Sequence, residues 1–148
     1  MNSRFIPAIE RILLTLWVGS LWVVGFIVAP VLFAELDDRA LAGSLAGVLF
    51  TLTSYLGLAC GGVLLVLNGF RIKGVNWRMV VIAGMLILVV IGQFVVTPMV
   101  AELRLQGLTE TPRFGQLHGI ASTLFLLTSL LGLALVVARQ PDYRALQN

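Results

Sequence analysis

The chain contains a single histidine, His118, the only side chain whose ordinary pKa, about 6.5, lies near neutrality. If its helix begins at Pro112, His118 lies ~9 Å along that helix, at ~1.5 Å per residue. Ionisable groups within a membrane are functional candidates by default. Two readings stay open. In one, the imidazole is structural and bonds a facing loop or a hydroxyl such as that of Thr97. In the other, it pairs with Glu35 or Glu102, or shares a cation with one of them and a carbonyl freed by Pro30 or Pro98. Ser122 stands one turn beyond His118. Gln93 and Thr97 are i, i+4 neighbours and form a second polar patch, suited to interhelical bonds of ~0.6–2 kcal/mol or to lining a solute path. A metal, if any, would need His118, with Met85, Met99 or carboxylates as further ligands, and no Cys or Met cluster supports one. One histidine cannot supply two axial haem ligands. Ser122, His118 and Asp37 fit no nucleophile motif. No cofactor and no enzymatic reaction are expected.

The elements that carry these residues follow from composition. Of 148 residues, 59% are hydrophobic and 11% charged, with a mean hydropathy of +1.01. A soluble domain carries roughly 25% charged residues, so this chain cannot clothe a water-facing surface. Residues 12–34, 40–70, 79–101 and 114–138 contain no Asp, Glu, Lys or Arg. Each run exceeds the ~20 residues that cross ~30 Å of hydrocarbon as a helix. The expected fold is an all-α membrane protein, a four-transmembrane-helix bundle forming one domain. The first run is too long for a signal-peptide core and is expected to remain in the mature chain. Cys60, the lone cysteine, excludes an intrachain disulfide.

Four spans put the termini and the middle loop on one side. That side holds Arg4, Arg11, Arg71, Lys73, Arg78, Arg139 and Arg144; the other holds Arg39, Arg104 and Arg113. Positive charge collects on the cytoplasmic side, which places both termini in the cytoplasm, with a bacterial inner membrane as the expected site. Trp77, beside Arg78, reads as an interfacial anchor, whereas Trp17 and Trp22 read as packing in the bundle or against lipid. The first helix is expected to end near Phe33, and the second to start on Asp37 or Asp38. Gly74, Asn76, Thr111 with Pro112, and Pro141 mark the remaining ends. The basic residues at helix ends argue for topology rather than nucleic-acid binding.

Residues 49–59, LFTLTSYLGLA, match residues 124–134, LFLLTSLLGLA, at nine of eleven positions. Gly25 and Glu35 recur at equal separation as Gly92 and Glu102. The chain therefore reads as two tandem parallel helix hairpins, about 5–70 and about 77–139. In the second helix Gly43, Gly47, Phe50, Ser54, Gly57 and Gly61 share a face. In the fourth, His118, Ser122, Phe125, Ser129 and Gly132 take the matching positions. Small residues let backbones approach closely in lipid, so Gly43, Gly47, Gly57, Gly61 and Gly132 read as packing seams, with a cofactor groove along the same face as the alternative.

Trp17-x-Gly19-Ser20-Leu21-Trp22, then Ala29-Pro30-x-x-Phe33, then Ala42-Gly43-x-x-x-Gly47-x-x-Phe50 resembles the bacterial branch of the transmembrane protein 205-like family. Pro98 with Leu103-Arg104, then Phe114-x-x-Leu117-His118-x-x-Ser122, is similar to its second half. The resemblance covers essentially the whole chain and implies a membrane domain of unknown function. The first helix is more distantly similar to copper-resistance protein D-like membrane proteins and membrane protoporphyrinogen oxidases, whose histidines it lacks. The expected role is a binding or accessory component whose partners are the lipid bilayer and a homo-oligomer or larger membrane complex, without nucleic acid. The alternatives are a small transporter or channel for a metal ion or small solute, and a haem- or quinone-linked redox protein using His118 from two chains or a partner subunit.

Overall fold

The computed structural model describes residues 5–71 and 76–138, apart from the side chains of Phe5, Phe70 and Arg71. Helix α1 comprises α-helical Phe5–Trp22, a π-helical segment Val23–Val28, and α-helical Ala29–Glu35. Helix α2 is Arg39–Arg71. Helix α3 repeats the α1 pattern, with Trp77–Ile91, a π-helical Gly92–Val96 and Thr97–Leu105. Helix α4 is Pro112–Val137. The four apolar helices are 26 to 31 residues long over their membrane-compatible lengths, or about 39–46 Å at ~1.5 Å per residue, enough for hydrocarbon plus headgroups.

Local chemistry starts these helices. The Asp38 carboxylate accepts from the amides of Ala40 (2.8 Å) and Leu41 (3.1 Å). Asn76 accepts from the Met79 amide at 2.9 Å, and the Thr111 hydroxyl from Phe114 at 3.4 Å. Pro112 occupies the first turn, where its missing N–H is harmless. Helix α1 runs two residues beyond the expected Phe33, because Leu36 still donates to the Leu32 carbonyl at 3.1 Å. After α3 the chain reverses at Gly107, with φ +69°. Leu108 donates to the Leu103 carbonyl at 2.9 Å and Gly107 to Arg104 at 3.1 Å. This is a Schellman closure, which needs a residue free to adopt positive φ. Gly74 and Pro141 lie outside the described residues.

Pro30 and Pro98 terminate nothing. Each sits just after a π turn, where Ala29 donates to the Val24 carbonyl and Thr97 to that of Gly92, five residues back. A proline lacks the N–H for the carbonyl four residues earlier, and its ring clashes there. The wider π turn spreads the backbone at that point, so both helices continue.

Each helix packs beside two others, in the cyclic order α1, α2, α3, α4. The core occupies the half of the bundle nearer the termini, where Leu14, Trp17, Leu21, Cys60, Leu64, Ile82, Met85, Val89 and Leu135 meet. Beyond the π segments, towards the α1–α2 and α3–α4 loops, packing lies mainly within each hairpin: α1 on α2, and α3 on α4. The remaining apolar surface, including Ile12, Ile27, Leu52, Val80, Ile87 and Leu130, stays exposed. A belt of that extent has lipid as its solvent.

Candidate functional site

The glycines bring the helices together. A Cβ on Gly57 would collide with the Trp17 indole, and one on Gly61 would lie 2.6 Å from Leu86 and 2.8 Å from Trp17. Trp17 is fully buried, and its indole N–H has no hydrogen-bond partner among the described residues. Trp22, by contrast, is exposed and tilts against Phe26 with ring centroids 5.3 Å apart. Across the bundle, Gly132 faces Val18 (2.8 Å) and Met85 (3.2 Å). Gly25 receives the ring of Phe125, which also meets Phe50 edge-on at 5.4 Å. Thr53 and Thr128 are buried but bond only carbonyls of their own helices, at 2.9 and 2.8 Å. The buried Ser129 hydroxyl has no partner among the described residues.

The polar residues singled out by sequence do not converge. His118 is exposed on α4 and stacks on Phe114, with centroids 6.3 Å apart and planes within 6°. Among the described residues neither Thr97 nor a carboxylate bonds its ring: Thr97 donates to the Gly92 carbonyl at 2.9 Å. Ser122 donates to the backbone carbonyl of His118 at 2.9 Å. Gln93 is half-buried on α3, a turn from Thr97, and its side chain makes no hydrogen bond among the described residues. Glu35 and Glu102 are exposed at helix ends, Glu102 accepting from Gln106 at 3.2 Å. Among the described residues no three His, Cys, Asp or Glu side chains gather as a metal site would require.

Two polar features escape a linear reading. At the terminal side Glu10, Asn68 and Arg78 are each about 95% buried (5%, 4% and 5% exposed). Arg78 points a guanidinium nitrogen at the Leu135 carbonyl, 3.5 Å away, and lies 5.6 Å over the exposed Trp77 ring. Leu135 is in the last turn of α4, whose carbonyls lack helical donors. Asn68 donates to the Leu64 carbonyl at 2.9 Å. At the loop side, Arg104 crosses from α3 to α2, its guanidinium 3.3 Å from where a Cβ on Gly43 would stand and 3.4 Å from one on Gly47. Asn68, the lone amide in a charge-free run, was the one available signal; the burial of Glu10 and Arg78 and the reach of Arg104 are tertiary facts.

The fold and the lipid-facing belt define a multi-pass α-helical membrane protein. Residues 12–109 match a domain of unknown function, DUF4149, and the chain belongs to that family. No curated protein and no solved structure matches it. The match spans α1 to α3 and ends before α4, so Arg104, Gln93 and the α2 glycines fall within it and His118 outside.

Proposed function

We propose that this protein is a binding or accessory component of the membrane that works through helix–helix association, its docking face the loop-side half of α4 and its partner a second copy. One observation carries this reading: Gly115, Gln116, His118, Gly119, Ser122 and Thr123 are all exposed on that half-helix. Nothing lies within 4 Å of a Cβ built on Gly115 or Gly119. An open hollow of about 470 Å³ runs along Gln116, Gly119, Ile120, Thr123 and Leu124. Small residues spaced four apart admit a second backbone, and polar groups facing lipid gain by bonding across helices. The Gln116 amide and a neutral imidazole each donate and accept, and the Ser122 and Thr123 hydroxyls, whose hydrogens go to the carbonyls of His118 and Gly119, still accept, so the face complements itself, as a two-fold interface requires. The packed core of Trp17, Leu64, Ile82, Met85 and Leu135 favours this over a solute path.

The same reading places the chain in a bacterial inner membrane with cytoplasmic termini, on the asymmetry of its basic residues. It treats the chain as one domain of two tandem hairpins, a view supported by the π turn that precedes the proline in both α1 and α3. Its finer kinship is the transmembrane protein 205-like likeness in the order of Trp, Gly, Pro and Phe residues. The test is disulfide trapping in native membranes, in a Cys60→Ala background. Gly119→Cys should yield a covalent dimer and Val80→Cys on α3 should not. Monomer from Gly119→Cys under oxidant would overturn the homodimer. A crosslink from Gly119→Cys to a different protein would keep the accessory role and replace the partner.

A further inference from the structure

The Arg104 side chain is half-buried, yet among the described residues it makes no hydrogen bond, ion pair or ring contact. Its five N–H donors are therefore unused by protein. The acids nearest in sequence or at the same end do not serve it: Asp38 caps α2, Glu102 accepts from Gln106, and Glu35, Asp37 and Glu110 are exposed and unpaired with it. Arginines near a membrane surface normally reach outward to water. Side chains on a helix lean towards its N-terminus, which in α3 means back into the membrane. The guanidinium accordingly lies across Gly43 and Gly47, and the tip of Phe33 approaches within 3.7 Å of the Cβ position of Gly43. The guanidinium packs on the bare backbone of both glycines: a Cβ at Gly43 would make it give by a few tenths of an ångström, and one at Gly47 would just touch it.

Depth identifies the partner. Gly43 and Gly47 lie four and eight residues into α2, ~6 and ~12 Å from its first residue at ~1.5 Å per residue. Hydrocarbon takes about 30 Å of a 40–45 Å bilayer, so the guanidinium stands at the boundary of headgroup and acyl chain, where phospholipids carry phosphate. Around that level the two hairpins pack within themselves, and Arg104 reaches between them. Deeper, Phe26, Phe50 and Phe125 offer an apolar surface that suits a lipid tail.

We infer that Arg104, seated between Gly43 and Gly47, is a binding site for a phosphate group, supplied by a phospholipid headgroup or by free phosphate. A guanidinium fork matches two phosphate oxygens, and such charge-assisted bonds are about twice as strong as neutral ones.

The protein purified in mild detergent is titrated with phosphatidylglycerol and, separately, with inorganic phosphate. Native mass spectrometry reads bound lipid and thermal shift reads phosphate. Wild type and the surface control Arg113→Gln should each retain one phospholipid, and Arg104→Gln should lose occupancy about ten-fold. Gly47→Leu, which fills the slot and leaves the charge, should do the same. Should Arg104→Gln fail to accumulate, Arg104→Lys decides: it keeps the charge without the fork and should also bind more weakly. Stabilisation of wild type by phosphate but not by lipid, abolished in Arg104→Gln, identifies free phosphate as the source. Equal lipid retention by wild type and Arg104→Gln, or no response of wild type to either ligand, overturns the site.

Discussion

The indole nitrogen of Trp17 in α1 lies against Gly57 of α2 so closely that one methyl group on the glycine would overlap it. Trp17 is fully buried, and Gly61 one turn on meets its six-membered ring. Gly57→Leu should therefore part α1 from α2, costing about 1–3 kcal/mol by overpacking and lowering Tm in detergent. Gly62→Leu is the matched control, because nothing lies within 4 Å of a Cβ there. Equal melting of both variants would show that the Trp17–Gly57 contact does not hold the helices.

A second prediction concerns the α3–α4 turn. Gly107 takes φ +69°, and two hydrogen bonds close around it. Gly107→Ala should destabilise by about 1 kcal/mol through backbone strain alone, since open space surrounds its Cβ position. Gly84→Ala, in helix α3 and equally open, should be neutral or slightly stabilising. A silent Gly107→Ala would mean the turn adjusts without cost.

The difference between those glycines also shows where sequence reading stops. Asp38, Asn76 and Thr111 are legible because a cap needs only its own side chain and amides two or three residues on. The four spans are legible because each must cross the bilayer alone. Gly107 is not singled out by a linear reading, although Leu103 to Leu108 carry its closing bonds. The π turns are invisible because the sequence marks them only by a proline, which reads equally well as a kink. His118 attracts attention by its rarity, yet the chain turns it outward onto Phe114. Arg104 counts in sequence as one more charge at a helix end; its meeting with Gly43 and Gly47 exists only once α2 and α3 are side by side.

Orientation is checked by labelling. In a Cys60→Ala background, Lys73→Cys should react with an impermeant thiol reagent only after the cytoplasmic face is opened. Gln106→Cys, in the exposed α3–α4 turn, should react on intact cells. Labelling of Lys73→Cys from outside would invert the proposed topology.

The last prediction rests on Arg78. It begins α3 within the membrane's terminal side, is 5% exposed, and aims its guanidinium at the Leu135 carbonyl near the end of α4. At 3.5 Å this is a long hydrogen bond. Its strength therefore comes chiefly from charge against the negative end of a helix, where a cation contributes about 0.3–2 kcal/mol. Arg78→Ala removes the charge and leaves the last turn of α4 without its donor, so it should destabilise by about 1–3 kcal/mol. Arg78→Lys keeps a cation near that end and should recover part of the loss. Hydrogen exchange localises the effect: in Arg78→Ala the amides of α4 that donate in its final turns, up to Ala138, should exchange faster, while those following Thr111 at its start should not. Uniform acceleration along α4 would instead mean that Arg78 supports the whole bundle through Glu10, Asn68 and the other groups buried beside the termini, rather than capping one helix.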